Sequence, residues 1–240
     1  MSLPSSAAAD VYSDSARKAS YGILEKMGLF LAPQFLTPAE CARLRGEIDS
    51  SPTRPTEAYS PSQASPAPNA KFSSSLDHDI SPASLEGLRN RFLALIPRLE
   101  KHFGEKLELR EPVGVRTYGP GGFLAAHTDC INERFLVNSP PGKEVPISRL
   151  RKVSAVIYLS TEAHKPGPGR HCGGPLVFYG LIPGRKTRSL GLPLRAEAGL
   201  LAAFRADVGH EVRPVLAGTR YTVTAFISSG GSRRLRSSPA

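Results

Sequence analysis

The chain has 240 residues, 40% of them hydrophobic, and 31 Lys and Arg against 21 Asp and Glu give it a formal net charge of +10. That length holds one domain with an ample core, no apolar run approaches a membrane span, and the N-terminus lacks the basic-then-apolar order of a signal peptide. The 3 cysteines, Cys41, Cys130 and Cys172, are scattered and odd in number, which excludes a disulfide framework or a zinc motif and makes a reducing cytoplasm the expected compartment.

Residues 1–16 are small and polar and are expected to be disordered. A single domain is expected over 17–230, opening with a short helix at 17–27. Leu29-Phe30-Leu31 and Phe35-Leu36 flank a proline as an edge strand or turn. Thr37-Pro38-Ala39-Glu40 spells a helix start, with Thr as N-cap, Pro at the first position and Glu at the third, and the helix is expected to reach about Asp49. Ser50 to Ala70 is rich in Pro and Ser and reads as a loop or flap. Ser81-Pro82 begins a second helix, in which Leu85, Leu88, Phe92, Leu95, Ile96, Leu99 and Phe103 recur at helical spacing. Pro97 is expected to kink it, and its apolar stripe is expected to pack on a sheet.

From about 107 onward, short β-branched and aromatic runs alternate with Gly/Pro turns. Strands are expected near 107–111, 113–119, 122–128, 152–160, 175–180, 186–195, 199–205, 208–216 and 219–228. Eight of these suffice for a double-stranded β-helix, a cupin-like jelly-roll of two sheets, so the chain reads as mainly β (α+β) with N-terminal helices covering one sheet. The long connection from Cys130 to Arg151 and the 50–75 segment are expected to shape a substrate entrance. Arg185-Lys186-Thr187-Arg188 reads as a solvated loop, and 231–240 as a basic flexible tail.

His127-Thr128-Asp129, followed by His210 and then by Arg220, is the chain's most informative pattern. Residues i and i+2 of a strand point to the same side. His127 and Asp129 can therefore reach one ion together, with Thr128 turned away. His210 sits near the start of a later strand. Two imidazoles and one carboxylate cap one face of a ferrous ion and leave the opposite face open. In the final strand, alternation puts Arg220, Thr222 and Thr224 on one face, and a planar guanidinium there suits a carboxylate.

A bare His-x-Asp is a weak signal, His210 alone reads better as a structural or surface residue and Arg220 alone as a surface strand residue; their order and strand placement make the combination specific. Of the 6 histidines, His78 lies between Asp77 and Asp79 in a polar stretch, and His102 ends a helical pattern. His164 and His171 flank a Pro/Gly-rich segment read as an exposed loop.

At this point the chain resembles the prolyl 4-hydroxylase-like branch of the Fe(II)/2-oxoglutarate-dependent dioxygenases, over about residues 28 to 228. Val115-Arg116-Thr117-Tyr118-Gly119-Pro120-Gly121-Gly122-Phe123 leads into His127-Thr128-Asp129 like the family's Arg-x-Tyr, glycine turn and His-x-Asp. Val153 to Ser160 is similar to its next core strand, and Gly173-Gly174-Pro175-Leu176-Val177-Phe178 to its Gly-Gly-x-Leu-x-Phe segment. His210-Glu211-Val212 and Gly218-Thr219-Arg220-Tyr221 match the closing motif.

The resemblance implies iron at His127, Asp129 and His210, and the distal carboxylate of 2-oxoglutarate at Arg220. It places Tyr118 and Tyr158 where the family often contacts the co-substrate, although aromatic residues in barrel strands are usually core; Thr222 could add a hydroxyl. Gly173 and Gly174 read as a strand-entry turn. Fe(II), 2-oxoglutarate and dioxygen are thus implied, with ascorbate a candidate accessory. Related halogenases carry a small residue where Asp129 stands, so Asp129 implies hydroxylation or a related oxidation such as desaturation.

The implied substrate is a prolyl or other amino-acid residue, free or peptidyl; a tailoring oxygenase for a small-molecule natural product is the alternative. The rival of another class is a non-catalytic jelly-roll binding protein, which has no need of the full set of His127, Asp129, His210 and Arg220. Only the net charge suggests nucleic acid, and no base-stacking or groove-reading motif supports it.

Overall fold

The structure, a computed structural model, describes residues 13–58, 67–68, 70–130, 150–184, 187 and 189–231. The expectations for residues 1–12, for the 131–149 connection, for most of the 185–188 loop and for the 232–240 tail lie outside the described residues.

Three helices precede the sheets. Helix α1 (Asp14–Lys26) starts earlier than the sequence suggested, because the Ser13 side chain accepts the Ala16 N–H as an N-cap; residues 14–16 are therefore helical. Helix α2 (Pro38–Asp49) carries the expected reciprocal cap: Thr37 Oγ1 accepts from Glu40 N at 3.2 Å, and Glu40 Oε2 accepts from Thr37 N at 2.8 Å. Helix α3 (Pro82–Phe103) begins at the Ser81 cap and ends at Gly104, whose φ of 70° suits a residue without Cβ. The expected kink gives no break: Pro97 lies on the exposed side and the helix runs on to Phe103.

Two principal sheets hold thirteen of the described strands, twelve of them along the two continuous strand orders. Those twelve are β1 (Phe30–Ala32), β2 (Thr53–Pro55), β3 (Ser73–Ser74), β4 (Leu76–His78), β5 (Gly114–Tyr118), β6 (Phe123–His127), β7 (Arg151–Tyr158), β8 (Leu176–Tyr179), β9 (Leu192–Leu194), β10 (Leu201–Arg205), β11 (Gly209–Val212) and β12 (Arg220–Ser229). The larger sheet runs β1-β10-β7-β12-β5-β4-β2, with Leu107–Glu108 pairing along β12. The smaller runs β9-β8-β11-β6-β3. Strands β5 to β12 divide four and four between them, which is the double-stranded β-helix. The expected strand at 208–216 is interrupted at Pro214, giving β11 and Val215–Ala217. The stretch read as a loop from 50 to 70 instead holds β2 and a Glu57–Ala58 to Ala67–Pro68 pairing.

Alternation along β7 and β12 separates two cores. Val153, Ala155, Ile157, Val223, Ala225 and Ile227 face α2 and α3, where Leu44, Ile48, Phe92 and Leu99 are buried. Tyr158 and Val156 face the other way and meet Leu176, Phe178, Phe204 and Val212 between the sheets. Each fully buried Leu, Ile or Phe stabilises this arrangement by about 1.5–3 kcal/mol. The helices thus make the larger sheet a rigid floor, and the space between the sheets is left for a site.

One histidine departs from expectation. His164 and the Lys165–Arg170 segment are exposed, but His171 is fully buried in the short strand Arg170–Gly173. That strand is paired on both sides, which turns His171 inward. Its Nδ1 lies 3.1 Å from Ser160 Oγ, and its Nε2 has no hydrogen-bond partner. Burial, followed by the nearby charge of Arg220, pushes its pKa down from 6.5 to about 3. The unfolded chain then takes up this proton first. Stability is full above pH 6.5 and is expected to fall as pH drops from there toward 3, by up to about 1.4 kcal/mol per pH unit. Urea unfolding at neutral and mildly acidic pH checks this; a His171→Asn variant whose slope with pH equals wild type would contradict it.

Candidate metal centre

His127 ends β6 and His210 lies in β11, directly opposite it in the antiparallel register. Their ring centroids are 4.3 Å apart. Asp129 follows β6 at the required i+2 position, and its N–H donates to Ala206 O at 2.9 Å. His127 Nε2 lies 3.3 Å from Asp129 Oδ1, and His210 Nε2 lies 3.4 Å from Asp129 Oδ2. One ligand atom from each of the three residues falls within 4.8 Å of the others, the only such group among the described residues. Thr128 turns away and donates to Cys130 O.

The tautomers are set by the backbone. His127 Nδ1 is 2.8 Å from Ala125 O, and His210 Nδ1 is 3.0 Å from Val208 O. A carbonyl only accepts, so each Nδ1 carries a proton, and Nε2 is the atom that each neutral ring has left to bind a metal. This is the arrangement that orients imidazole for a metal. Phe204 meets the His210 ring edge-on at 4.8 Å and Phe72 the His127 ring at 5.5 Å. Burial lowers the His210 pKa. Burial also opposes charge on His127, but the Asp129 carboxylate outweighs it and the pKa rises. Burial pushes Asp129 up, yet His210 and His127 together hold it well below the usual carboxylate range. The carboxylate is therefore anionic and the donor set fits a divalent cation.

Arg151, at the start of β7, steadies this carboxylate from outside. Its guanidinium takes both oxygens of Glu111, lies 3.6 Å above the Phe226 ring and reaches Asp129 O at 3.3 Å. Outer partners of metal ligands are worth about 10–100-fold in affinity. Because Arg151 holds Asp129 by its backbone, Arg151→Gln is expected to lower Co(II) affinity by about 10-fold, at the low end of that range. Calorimetric titration of the variant checks this, and unchanged affinity would remove Arg151 from the centre's support.

A cavity opens from the three ligands toward the larger sheet. Arg116 and Tyr118 of β5, Arg220, Thr222 and Thr224 of β12, and Leu124, Leu176 and Val212 line it. Arg220 is only 2% exposed, with its guanidinium 5.0 Å from the Tyr118 ring centre and 5.2 Å from that of Tyr158. Its Nε has no hydrogen-bond partner, and no described carboxylate pairs with it. A buried cation without a counter-charge is costly, so the site is built for an incoming anion. Gly174, with a φ of 70°, makes room for it: a Cβ there would stand 2.7 Å from Val215 Cγ2 and 3.2 Å from Arg220 Cδ. Tyr158 is fully buried, its hydroxyl without a hydrogen-bond partner, and burial raises its pKa to about 12 although Arg220 pulls the other way. Thr222 donates its hydroxyl proton to Arg116 O at 3.2 Å, so toward the cavity it offers an acceptor.

The structure thus brings together all the residues singled out in the sequence: His127, Asp129 and His210 at one point, and Arg220, Tyr118, Tyr158 and Thr222 behind it. Sequence reasoning met Arg116 only as part of the Arg-x-Tyr anchor, with no role in the site, and missed Arg151. Alternation along β5 from Tyr118 would have placed Arg116 in the cavity; nothing local marks Arg151.

The sequence model of the 2OG-Fe(II) oxygenase superfamily matches residues 113–228, which spans β5 to β12 almost from end to end. A comparison with curated protein sequences found no match. Among solved structures, the chain is similar to a prolyl hydroxylase from Trichoplax adhaerens in complex with a hypoxia inducible factor oxygen degradation domain peptide, with a TM-score of 0.63, 17% identity, and 90% of this chain and 91% of that one covered. It is similar to a Pseudomonas putida prolyl-4-hydroxylase at TM-score 0.54 and 21% identity, covering 89% and 98%. It is also similar to HygX from Streptomyces hygroscopicus, solved with nickel, 2-oxoglutarate and hygromycin B, at TM-score 0.56 and 14% identity, covering 89% and 88%.

Proposed function

This chain belongs to the 2OG-Fe(II) oxygenase superfamily, and from that premise we propose that it hydroxylates an unactivated C–H bond of a prolyl or other amino-acid residue, free or peptidyl. It is a 2-oxoglutarate-dependent dioxygenase; its metal is Fe(II), and its products include succinate and CO2. The observation that carries the reading is the pairing of the His127, Asp129, His210 set with a buried Arg220 behind it that no described carboxylate meets.

Each residue has a definite task. His127 and His210 present Nε2 lone pairs, and Asp129 adds one negative charge, so the far side of the centre stays open. Arg220 takes the distal carboxylate of 2-oxoglutarate through its planar fork, while the Tyr118 and Tyr158 rings fix the guanidinium from its faces. Thr222 offers a hydroxyl alongside. Leu124, Leu176, Phe204 and Val212 keep the cavity wall apolar and exclude water from the reacting atoms. Iron(II), when bound there, supplies the dioxygen chemistry that oxidises the substrate as 2-oxoglutarate is decarboxylated.

The likeness to prolyl hydroxylases supports an amino-acid substrate. The likeness to HygX, solved with hygromycin B bound, supports the second reading, a tailoring oxygenase acting on a small molecule. The test needs no substrate: anaerobic titration of the apo-protein with Fe(II) and 2-oxoglutarate should raise the weak visible charge-transfer band of the chelate. Its absence from folded protein would return the chain to the binding-protein reading.

A further inference from the structure

The cavity holds a second guanidinium that the preceding assignments leave unused. Arg116 stands two residues before Tyr118 on β5, and so shares its face; across the ladder it is opposite Thr222, one step along from the Arg220–Tyr118 pair. Asp77, its partner in the β4–β5 register, holds it by one edge only: Arg116 Nε donates to Asp77 Oδ1 at 2.9 Å. Among the described residues no second carboxylate and no carbonyl accepts from this guanidinium, and the Tyr118 hydroxyl is its other polar neighbour. The side chain is 21% exposed and lines the cavity together with His127. A guanidinium held at Nε by Asp77 and bordered otherwise by a neutral hydroxyl still has the fork that matches a planar carboxylate bidentately.

Under the proposed function, on which this step rests, 2-oxoglutarate brings two carboxylates. Arg220 takes the distal one and the metal the proximal one. Neither is left for Arg116. We propose that Arg116 anchors a carboxylate of the primary substrate, so that the substrate class is an α-carboxylate: a free amino acid, or the C-terminal residue of a peptide, rather than a residue inside a chain. The local charge fits one carboxylate and not a phosphate dianion, because Asp77 already neutralises part of Arg116 and would repel a doubly charged group. The neighbouring walls, Leu124, Val156 and Phe226, suit an aliphatic body attached to that carboxylate.

The test uses the full chain loaded anaerobically with Fe(II) and 2-oxoglutarate, read by the chelate band. The probes are the free L-amino acids, L-proline first, their amides, and a short peptide ending in proline with its C-terminal amide. Wild type is expected to show a band shift with at least one carboxylate probe, and with its amide only at concentrations roughly 30-fold higher or more. Arg116→Gln should bring acid and amide to the same weak level while its 2-oxoglutarate affinity stays within about 3-fold of wild type. Which carboxylate probe responds separates the free acid from the peptide terminus. Arg116→Lys, which keeps the charge but loses the fork, should be intermediate and stands in if the Gln variant fails to fold.

Equal response to acid and amide, no response to any carboxylate probe, or a fall of more than about 10-fold in 2-oxoglutarate affinity on Arg116→Gln would overturn the proposal, the last by giving Arg116 to the co-substrate. A wild-type protein without the band would overturn the underlying reading instead, so the two failures are distinct.

Discussion

Replacing Arg220 with Ala weakens 2-oxoglutarate binding by roughly 30- to several-thousand-fold, the range that corresponds to removing one partner of a buried charge pair at about 2–5 kcal/mol. The guanidinium is all but inaccessible and no described carboxylate meets it, so the co-substrate's distal carboxylate is its expected counter-charge. Two tyrosine rings and the room left by Gly174 hold it in one orientation, so little flexibility remains to be lost on binding. The same features predict an asymmetry. The apo-protein gains little from a buried cation without a counter-charge, although Ala gives up the two ring contacts and leaves a cavity, so Arg220→Ala should lower its melting temperature only modestly, while metal affinity stays at the wild-type level. Titration of the chelate band gives the first quantity and a thermal melt the second. Near-normal co-substrate affinity would refute the assignment of Arg220, and Arg220→Lys, with charge but no fork, should fall between the two.

Asp129→Ala is expected to reduce divalent-metal affinity by more than about 100-fold, beyond what even an outer partner of a ligand is worth. It removes the only anionic donor and leaves two neutral imidazoles, 4.3 Å apart between ring centres, to hold a dication in a largely apolar cavity. It also removes the group that raises the His127 pKa, so His127 becomes harder to protonate and the loss of affinity cannot be ascribed to proton competition. Because Asp129 N–H is held by Ala206 O and the adjoining carbonyl by Arg151, the backbone at 129 should stay in place. Co(II) absorption in the visible region measures the affinity directly; binding within about 10-fold of wild type would mean that the metal is held elsewhere.

What could be seen in the sequence follows from where each signal resides. The Thr37–Glu40 cap, the Ser81 cap and the apolar stripe of α3 are local, and each specified its element. The His127-x-Asp129 spacing, His210 and the alternation of β12 are local too, and they picked out residues that the structure brings together around one cavity. The rest depended on distant parts of the chain. Ser73–Ser74 and Leu76–His78 carry no alternating pattern and are strands only because β6 and β5 pair with them. His171 sits beside a Pro/Gly-rich loop, and its burial comes from strands that flank it in space. Arg116, a charged residue within a strand, ordinarily marks a solvent face; it points inward because β4 supplies Asp77.

The two sheets also set a length. The metal group is carried by β6, its following residues and β11 in one sheet, while Arg220 belongs to β12 in the other. Facing sheets keep a separation of about 10 Å, and the helices behind the larger sheet hold it there. Under the proposed function, the span between the sheets, from His127, Asp129 and His210 to the Arg220 guanidinium, is expected to act as a ruler for the co-substrate. A 2-oxo diacid one carbon shorter or longer is then expected to bind more weakly, as titration of the chelate band would show. On that reading, selection for the five-carbon co-substrate would be a property of the sandwich's thickness, set in part by side chains packed behind the larger sheet.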